Sequence, residues 1–239
     1  APGLPNFTVY RPADLTAVGG PVPVLLWANG ACKTSNQQYW DVLSGIAARG
    51  FVVVAVGAAE DTNVMGGTVI PTRLLPALDW VTTRAKSARG YEQVDPTRIG
   101  VFGTSCGGLE ALLTAADPRV KSVAGLNTGF FNAGTSGSRS MGNLSPAEIS
   151  KLHTPTIFIG GGPSDIAYPQ THSNYEASTV KTVLAENPDG GHSGLWAGLR
   201  YSLAPDGKTA TGSTVDYSIT VESVDRKSTR LNSSHMSES

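Results

Sequence analysis

A serine held between glycines is the first position in this chain whose surroundings could do chemistry. Gly103-Thr104-Ser105-Cys106-Gly107 follows an apolar run at 98–102 and precedes a helical pattern at 109–116. A serine at such a strand-to-helix turn sits on a strained backbone. Side chains at the flanking glycines would collide with neighbouring elements. The helix N-terminus then lies beneath the hydroxyl, and the N–H of the next residue faces developing negative charge. The plainer reading of the pattern is a Gly-rich turn with a structural serine.

A serine hydroxyl is a weak nucleophile until an imidazole takes its proton. The chain has four histidines. His235 lies in a tail treated separately below. His153 precedes the strand pattern at 156–160, at the wrong end, and His172 opens a helix after it. His192 lies in Pro-Asp-Gly-Gly-His-Ser-Gly, after the strand pattern at 180–185. Ligands meet an open α/β sheet at that carboxyl edge, so His192 is the expected base. Asp165, in Gly-Gly-Gly-Pro-Ser-Asp after 156–160, is the expected partner of the imidazole, and the order Ser, Asp, His fits. Asp189 competes, but a residue three positions before His192 is poorly placed to face the ring from behind. Otherwise Asp165 reads as a helix cap.

The expected oxyanion donors are the backbone N–H groups of Cys106 and of Ala31, in Asn29-Gly30-Ala31-Cys32 after the first long strand; Cys32 N–H is the alternative. The chain's two cysteines, Cys32 and Cys106, thus both fall in oxyanion segments and are expected to approach one another. They form either one bridge or two buried thiols. Two are too few for a disulfide scaffold or a zinc site.

Elements able to position these residues alternate along the chain. Strands are predicted at 7–11, 22–27, 51–56, 98–102, 120–126, 156–160 and 180–185. Helices are predicted at 37–49, 69–88, 109–116, 146–152 and 173–178, with a loop at 131–144. Pro71 and Pro76 should make the start of 69–88 irregular. Strands alternating with helices imply right-handed crossovers and an α/β fold with a mostly parallel sheet. Continuous apolar runs imply strands covered on both faces. Val215, Tyr217, Ile219 and Val221 alternate with polar residues, a half-buried strand signal.

These pieces carry a family resemblance over about residues 7–196. WANGAC, YWDVLSGIAARGFVVV, DPTRIGVFGTSCGGLEAL, TPTIFIGGGPSDIAYP and ENPDGGHSG resemble the lidless α/β-hydrolase serine esterases, including dienelactone-hydrolase relatives and the bacterial cutinase and polyester-hydrolase group. The resemblance implies an α/β-hydrolase fold with helices on both faces and no large lid. It implies Ser105, Asp165 and His192 as triad and Ala31 and Cys106 as oxyanion donors. Phe130 and Phe131 stand where polyester hydrolases keep an aromatic clamp. Asn29-Gly30 departs from the His-Gly or Pro-Gly of many relatives. The helix usual after the histidine loop has no pattern in 199–224.

The expected activity is cleavage of carboxylic esters through an acyl-enzyme, on short acyl, aryl or polyester substrates. The alternatives are hydrolysis of another acyl bond, as in an amidase or peptidase, and a non-catalytic binding protein of the same fold. Phe130 and Trp196 are the expected substrate contacts, with Phe131 and Tyr168 as further aromatic candidates. No metal or organic cofactor is implied.

The 239 residues fit one domain, expected over 1–224 with its catalytic part at about 7–200. Eighteen basic against nineteen acidic residues give a net charge of −1, which makes no electrostatic case for nucleic acid or acidic membrane. No apolar run is long enough to span a bilayer. A secreted monomer acting on small-molecule or polymeric esters is expected, although no signal peptide is visible. From Asp225 the chain reads DRKSTRLNSSH, which looks like translated sequencing adapter. Residues 225–239 are therefore expected to be a non-native tail.

Overall fold

The computed structural model describes residues 3–60, 66–132, 144–193, 201–203, 210–212 and 220–224, the last three by backbone course only. The strands are β1 (Phe7–Tyr10), β2 (Val22–Ala28), β3 (Val52–Val56), β4 (Val94–Thr104), β5 (Val120–Leu126), β6 (Thr156–Gly160), β7 (Thr182–Glu186), β8 (Tyr201–Leu203), β9 (Ala210–Gly212) and β10 (Thr220–Val224). The α-helices are α1 (Trp40–Ala47), α2 (Leu75–Thr83), α3 (Cys106–Thr114) and α4 (Tyr168–Ala177).

Among the described residues, eight strands form one sheet in the order β1-β3-β2-β4-β5-β6-β7-β10. Neighbours from β3 through β7 run parallel. Antiparallel β1 and β10 close the two edges. β8 and β9 form a separate antiparallel pair.

Alternation along the strands explains why both faces are covered. Val24, Leu26, Val52 and Val54 share one core with Leu78 and Val81 of α2 and Leu109 and Leu112 of α3. Their neighbours Trp27, Val53 and Ala55 join Phe102, Tyr39 and Leu43 in a second core under α1. All five residues of β3 are buried, as expected of a parallel strand between two helical layers. This is the mostly parallel α/β sheet that the sequence predicts, and the α/β-hydrolase architecture that the resemblance implies.

Several boundaries differ from the sequence reading. The helix predicted at 69–88 contracts to α2 and a following 3-10 turn at Ala85–Ser87. Pro76 lacks an N–H to donate, so it falls in the first turn of α2. The helix predicted at 37–49 opens as a 3-10 turn, Gln37–Tyr39, before α1. The short helix predicted at 173–178 is instead α4, which starts earlier with Pro169 in its first turn. The alternation read at 215–221 falls largely outside the described residues, and the strand there is β10 on the edge of β7. Among the described residues no helix is long and apolar enough to cross a membrane. The tail at 225–239 lies outside the described residues.

Because β4, β6 and β7 run in the same direction, the loops leaving them emerge at one edge. Ser105 follows β4, Asp165 follows β6 and His192 follows β7.

Candidate active site

Ser105 adopts φ 51° and ψ −121°, a conformation L residues avoid, at the junction of β4 and α3. The surroundings over-determine it. Its N–H donates to the Leu126 carbonyl at 2.9 Å, and its own carbonyl accepts from Thr128 Oγ1 at 2.7 Å. A Cβ on Gly103 would overlap the Gly107 carbonyl group, and one on Gly107 would overlap the Ala28 carbonyl. Only glycines let α3 approach β2 and β4 this closely.

The structure brings all three predicted polar side chains together. His192 Nε2 lies 2.9 Å from Ser105 Oγ, and His192 Nδ1 lies 2.6 Å from Asp165 Oδ1. Asp165 is 3% exposed. Burial is the largest single influence on its carboxyl and pushes the pKa up. Hydrogen bonds from His192, the Ala167 N–H, Asn127 and the Gly161 N–H together outweigh burial and hold it below its ordinary value. Such a carboxylate orients the imidazole and stabilises the cation formed when the ring takes the serine proton. Asp189 is exposed on the turn before His192, its N–H donating to Asn187 Oδ1 at 3.2 Å. His153 contacts the Asp117 carbonyl and His172 contacts Glu186, so neither reaches Ser105.

Asn127 is a site residue the sequence reading passed over. It follows β5 at φ 47°, fully buried, and its Nδ2 donates both to Asp165 Oδ2 at 2.5 Å and to the Gly191 carbonyl at 3.1 Å. An asparagine closing an apolar strand at the carboxyl edge was the available signal.

Ala31 and Cys106 line one cleft with Ser105 and His192. Cys106 is the first residue of α3, where a helix leaves its N–H groups without intrahelical acceptors. Ala31 and Cys32 both take left-handed backbone, at φ 53° and 50°. That loop is tied on all sides. Gly30 N–H donates to Tyr39 Oη at 3.0 Å, and Gly67 N–H donates to the Ala31 carbonyl at 2.9 Å. Asn29 donates to the Lys33 and Val56 carbonyls and accepts from Trp27 Nε1. A disulfide joins Cys32 to Cys106, with Cα atoms 5.2 Å apart.

A largely apolar cleft of about 230 Å³ opens on the other side of Ser105, lined by Leu109, Phe131, Ile166 and Ala167 among others. Ile166 is 75% exposed at its rim. Phe130, expected to touch substrate, does not line it. Its main chain is clamped by the Asn174 amide through both N–H and carbonyl, and its ring is 1% exposed in the core. Phe131, one residue on, lines the cleft instead. Trp196 lies outside the described residues.

Comparison with known proteins follows the same lines. A family model described as PET hydrolase-like matches residues 2–182, a span that includes Ser105 and Asp165 and ends before His192. The hydrolase LUC6 of a Fusarium species is 28% identical over 160 residues, covering 64% of this chain and 34% of that protein. The 20-hydroxy-prefusarin hydrolase FUS2 of Gibberella moniliformis is 28% identical over 159 residues, 64% of this chain and 34% of its own. The alpha/beta hydrolase xenA of Xenoacremonium sinensis is 26% identical over 134 residues, 53% of this chain and 31% of its own. The chain spans about a third of the length of these curated relatives.

Proposed function

The chain belongs to the PET hydrolase-like family, and from that membership and the geometry at Ser105 we propose that it is a serine hydrolase of carboxylic esters. The observation that carries this reading is the continuous relay from Ser105 Oγ through His192 to Asp165, at 2.9 Å and 2.6 Å, beside an apolar cleft.

In this reading His192 takes the Ser105 proton as Oγ attacks the ester carbonyl carbon. The carbonyl oxygen becomes an oxyanion facing the N–H groups of Cys106 and Ala31. Collapse of the tetrahedral intermediate breaks the bond to the alkoxy oxygen, which leaves with the proton from His192. Water, deprotonated by the same imidazole, then releases the acid from the acyl-enzyme and restores the serine. Asp165 stays ionised throughout.

The substrate class is short acyl, aryl or polyester esters. The apolar lining around Leu109 and Phe131 and the exposed Ile166 rim favour an uncharged, apolar ester half on that side. The disulfide supports work in an oxidising compartment, as for a secreted enzyme.

A fluorophosphonate probe tests the reading directly. Folded protein should take up one label, mapped by mass spectrometry to Ser105, and Ser105→Ala should lose the label and lower kcat by ~10⁶. A panel from short-chain p-nitrophenyl esters to polyester film then reads the substrate range. Folded protein that neither labels nor cleaves any ester on the panel would leave the proposal without support.

A further inference from the structure

We infer that Asn127 is a positioning residue that fixes the catalytic acid and the base-bearing loop to one another. The inference rests on the serine-hydrolase reading above.

The argument starts from the chemistry of one nitrogen. A primary amide nitrogen carries two hydrogens. In Asn127 both are used, one on Asp165 Oδ2 and one on the carbonyl of Gly191, the residue directly before His192. Asp165 leaves the β6 side of the sheet and His192 the β7 side, so this nitrogen bridges two separate loops. The remaining bonds divide the work. Asp165 Oδ1 faces His192 and the Ala167 N–H, while Oδ2 faces Asn127 and the Gly161 N–H. The Gly191 N–H donates to the Gly161 carbonyl at 2.7 Å, so residue 191 is held from both of its peptide groups.

The backbone is bent to serve this contact. Asn127 N–H donates to the Ile159 carbonyl at 2.7 Å, yet its φ is 47°, where side chains other than Asn, Asp or Gly are disfavoured. The side chain is fully buried, and Asn127 Oδ1 has no partner. Burying an amide with one idle acceptor costs stability. That cost is offset where the two donors are needed at one point.

Substitutions separate positioning from simple filling. Asn127→Leu keeps the branched heavy-atom skeleton, in a bulkier form, and removes both donors. Asn127→Asp keeps the shape and sets a carboxylate against Asp165 and a carbonyl. Among the described residues, Asp165 accepts directly from this position and His192 lines the same cleft. Two carboxyls that close share a proton. The Asp variant should therefore be most competent while that proton is held, and lose activity as pH rises.

The experiment measures kcat and KM on a short-chain p-nitrophenyl ester across pH, with fluorophosphonate labelling of Ser105 as a count of folded sites. Asn127→Leu should lower kcat about 10- to 100-fold with KM within threefold, the size expected when supporting contacts of a reactive group are lost. Asn127→Asp should fall away on the alkaline side, where the wild type holds a plateau. An active, labelled wild type whose Leu variant keeps kcat within threefold overturns the role of Asn127 alone. So does a loss carried by KM, or an Asp variant with the wild-type pH profile, the measurement that decides if the Leu variant does not fold. A wild type that takes up no label overturns the esterase reading, and this role with it.

Discussion

Cys32 and Cys106 are 74 positions apart in the chain, yet their Cα atoms stand 5.2 Å apart, joined by a disulfide between the two backbone segments that border Ser105. One end fixes the start of α3, the other a loop whose residues Ala31 and Cys32 both have positive φ. Left-handed backbone at non-glycine residues costs of order 1 kcal/mol each and persists only where surrounding structure enforces it. The disulfide and the Asn29 and Gly30 hydrogen bonds do so here.

Reduction should accordingly cost both stability and rate. A bridge closing a loop of this length is worth about 4 kcal/mol in the chain-entropy model. Treatment with a phosphine reductant should lower Tm by several degrees, and should lower kcat more than it raises KM, because the proposed oxyanion donors are backbone groups in the bridged segments. The double variant Cys32→Ala, Cys106→Ala should reproduce both effects and no longer respond to reductant. A reduced protein with unchanged kcat would show that the other ties hold the loop unaided.

Phe130 and Phe131 divide into core and cleft, and substitution should separate them. Phe130→Ala empties a fully buried site and should cost ~3–5 kcal/mol, read by denaturant titration, with kcat per labelled Ser105 little changed. Phe131→Ala should leave Tm nearly unchanged and raise KM for aryl esters severalfold. The reverse pattern would put the substrate on the other ring.

Much of the candidate site's geometry could be read from the residue pattern, because the proposed chemistry constrains residue types. Ser105, Asp165 and His192 each follow an apolar strand, and parallel strands deliver their following loops to one edge. The sheet was legible for a similar reason, since the uninterrupted runs of β2 and β3 have no other place than between two helical layers. What the pattern leaves open depends on which way a side chain turns. Phe130 and Phe131 are equivalent in sequence, and only the clamp from Asn174, forty-four positions away, sends the first inward. Asn127 looks like an ordinary loop residue until the His192 loop lies beside it. Helix limits shifted where prolines set them, as at Pro76 and Pro169.

Glu110 presents an unusual charge in the core. It lies on α3, fully buried, with Oε1 accepting from Arg73 Nε at 2.7 Å and from Ile70 N–H at 2.9 Å, while Oε2 has no partner. Burial, the largest influence, raises its carboxyl pKa, and the Ile70 and Arg73 bonds offset only part of this. A carboxyl raised in the fold binds its proton more tightly when folded, so its contribution to stability improves as pH falls through the folded value. Arg73→Ala should strand the carboxylate and cost about 3 kcal/mol at neutral pH. The deficit should shrink in mildly acidic buffer as Glu110 takes a proton. Equal deficits at both pH values, measured by urea unfolding, would show that Glu110 does not change protonation between them.

Asp165 should behave in the opposite sense. Burial pushes its carboxyl up, but the bonds from His192, Ala167, Asn127 and Gly161 prevail and hold it low. A carboxyl depressed in the fold adds stability above its unfolded-state value, and that stability is lost as pH falls through the folded value. Asp165→Asn removes this contribution, so the variant's unfolding free energy should vary less with acid pH than the wild type's. At neutral pH the same variant should lose ~10⁴ in kcat, because a neutral amide does not favour the imidazolium and can impose the wrong ring tautomer. Parallel acid limbs of stability in variant and wild type would place the acid sensitivity at other carboxyls, whatever happened to the rate.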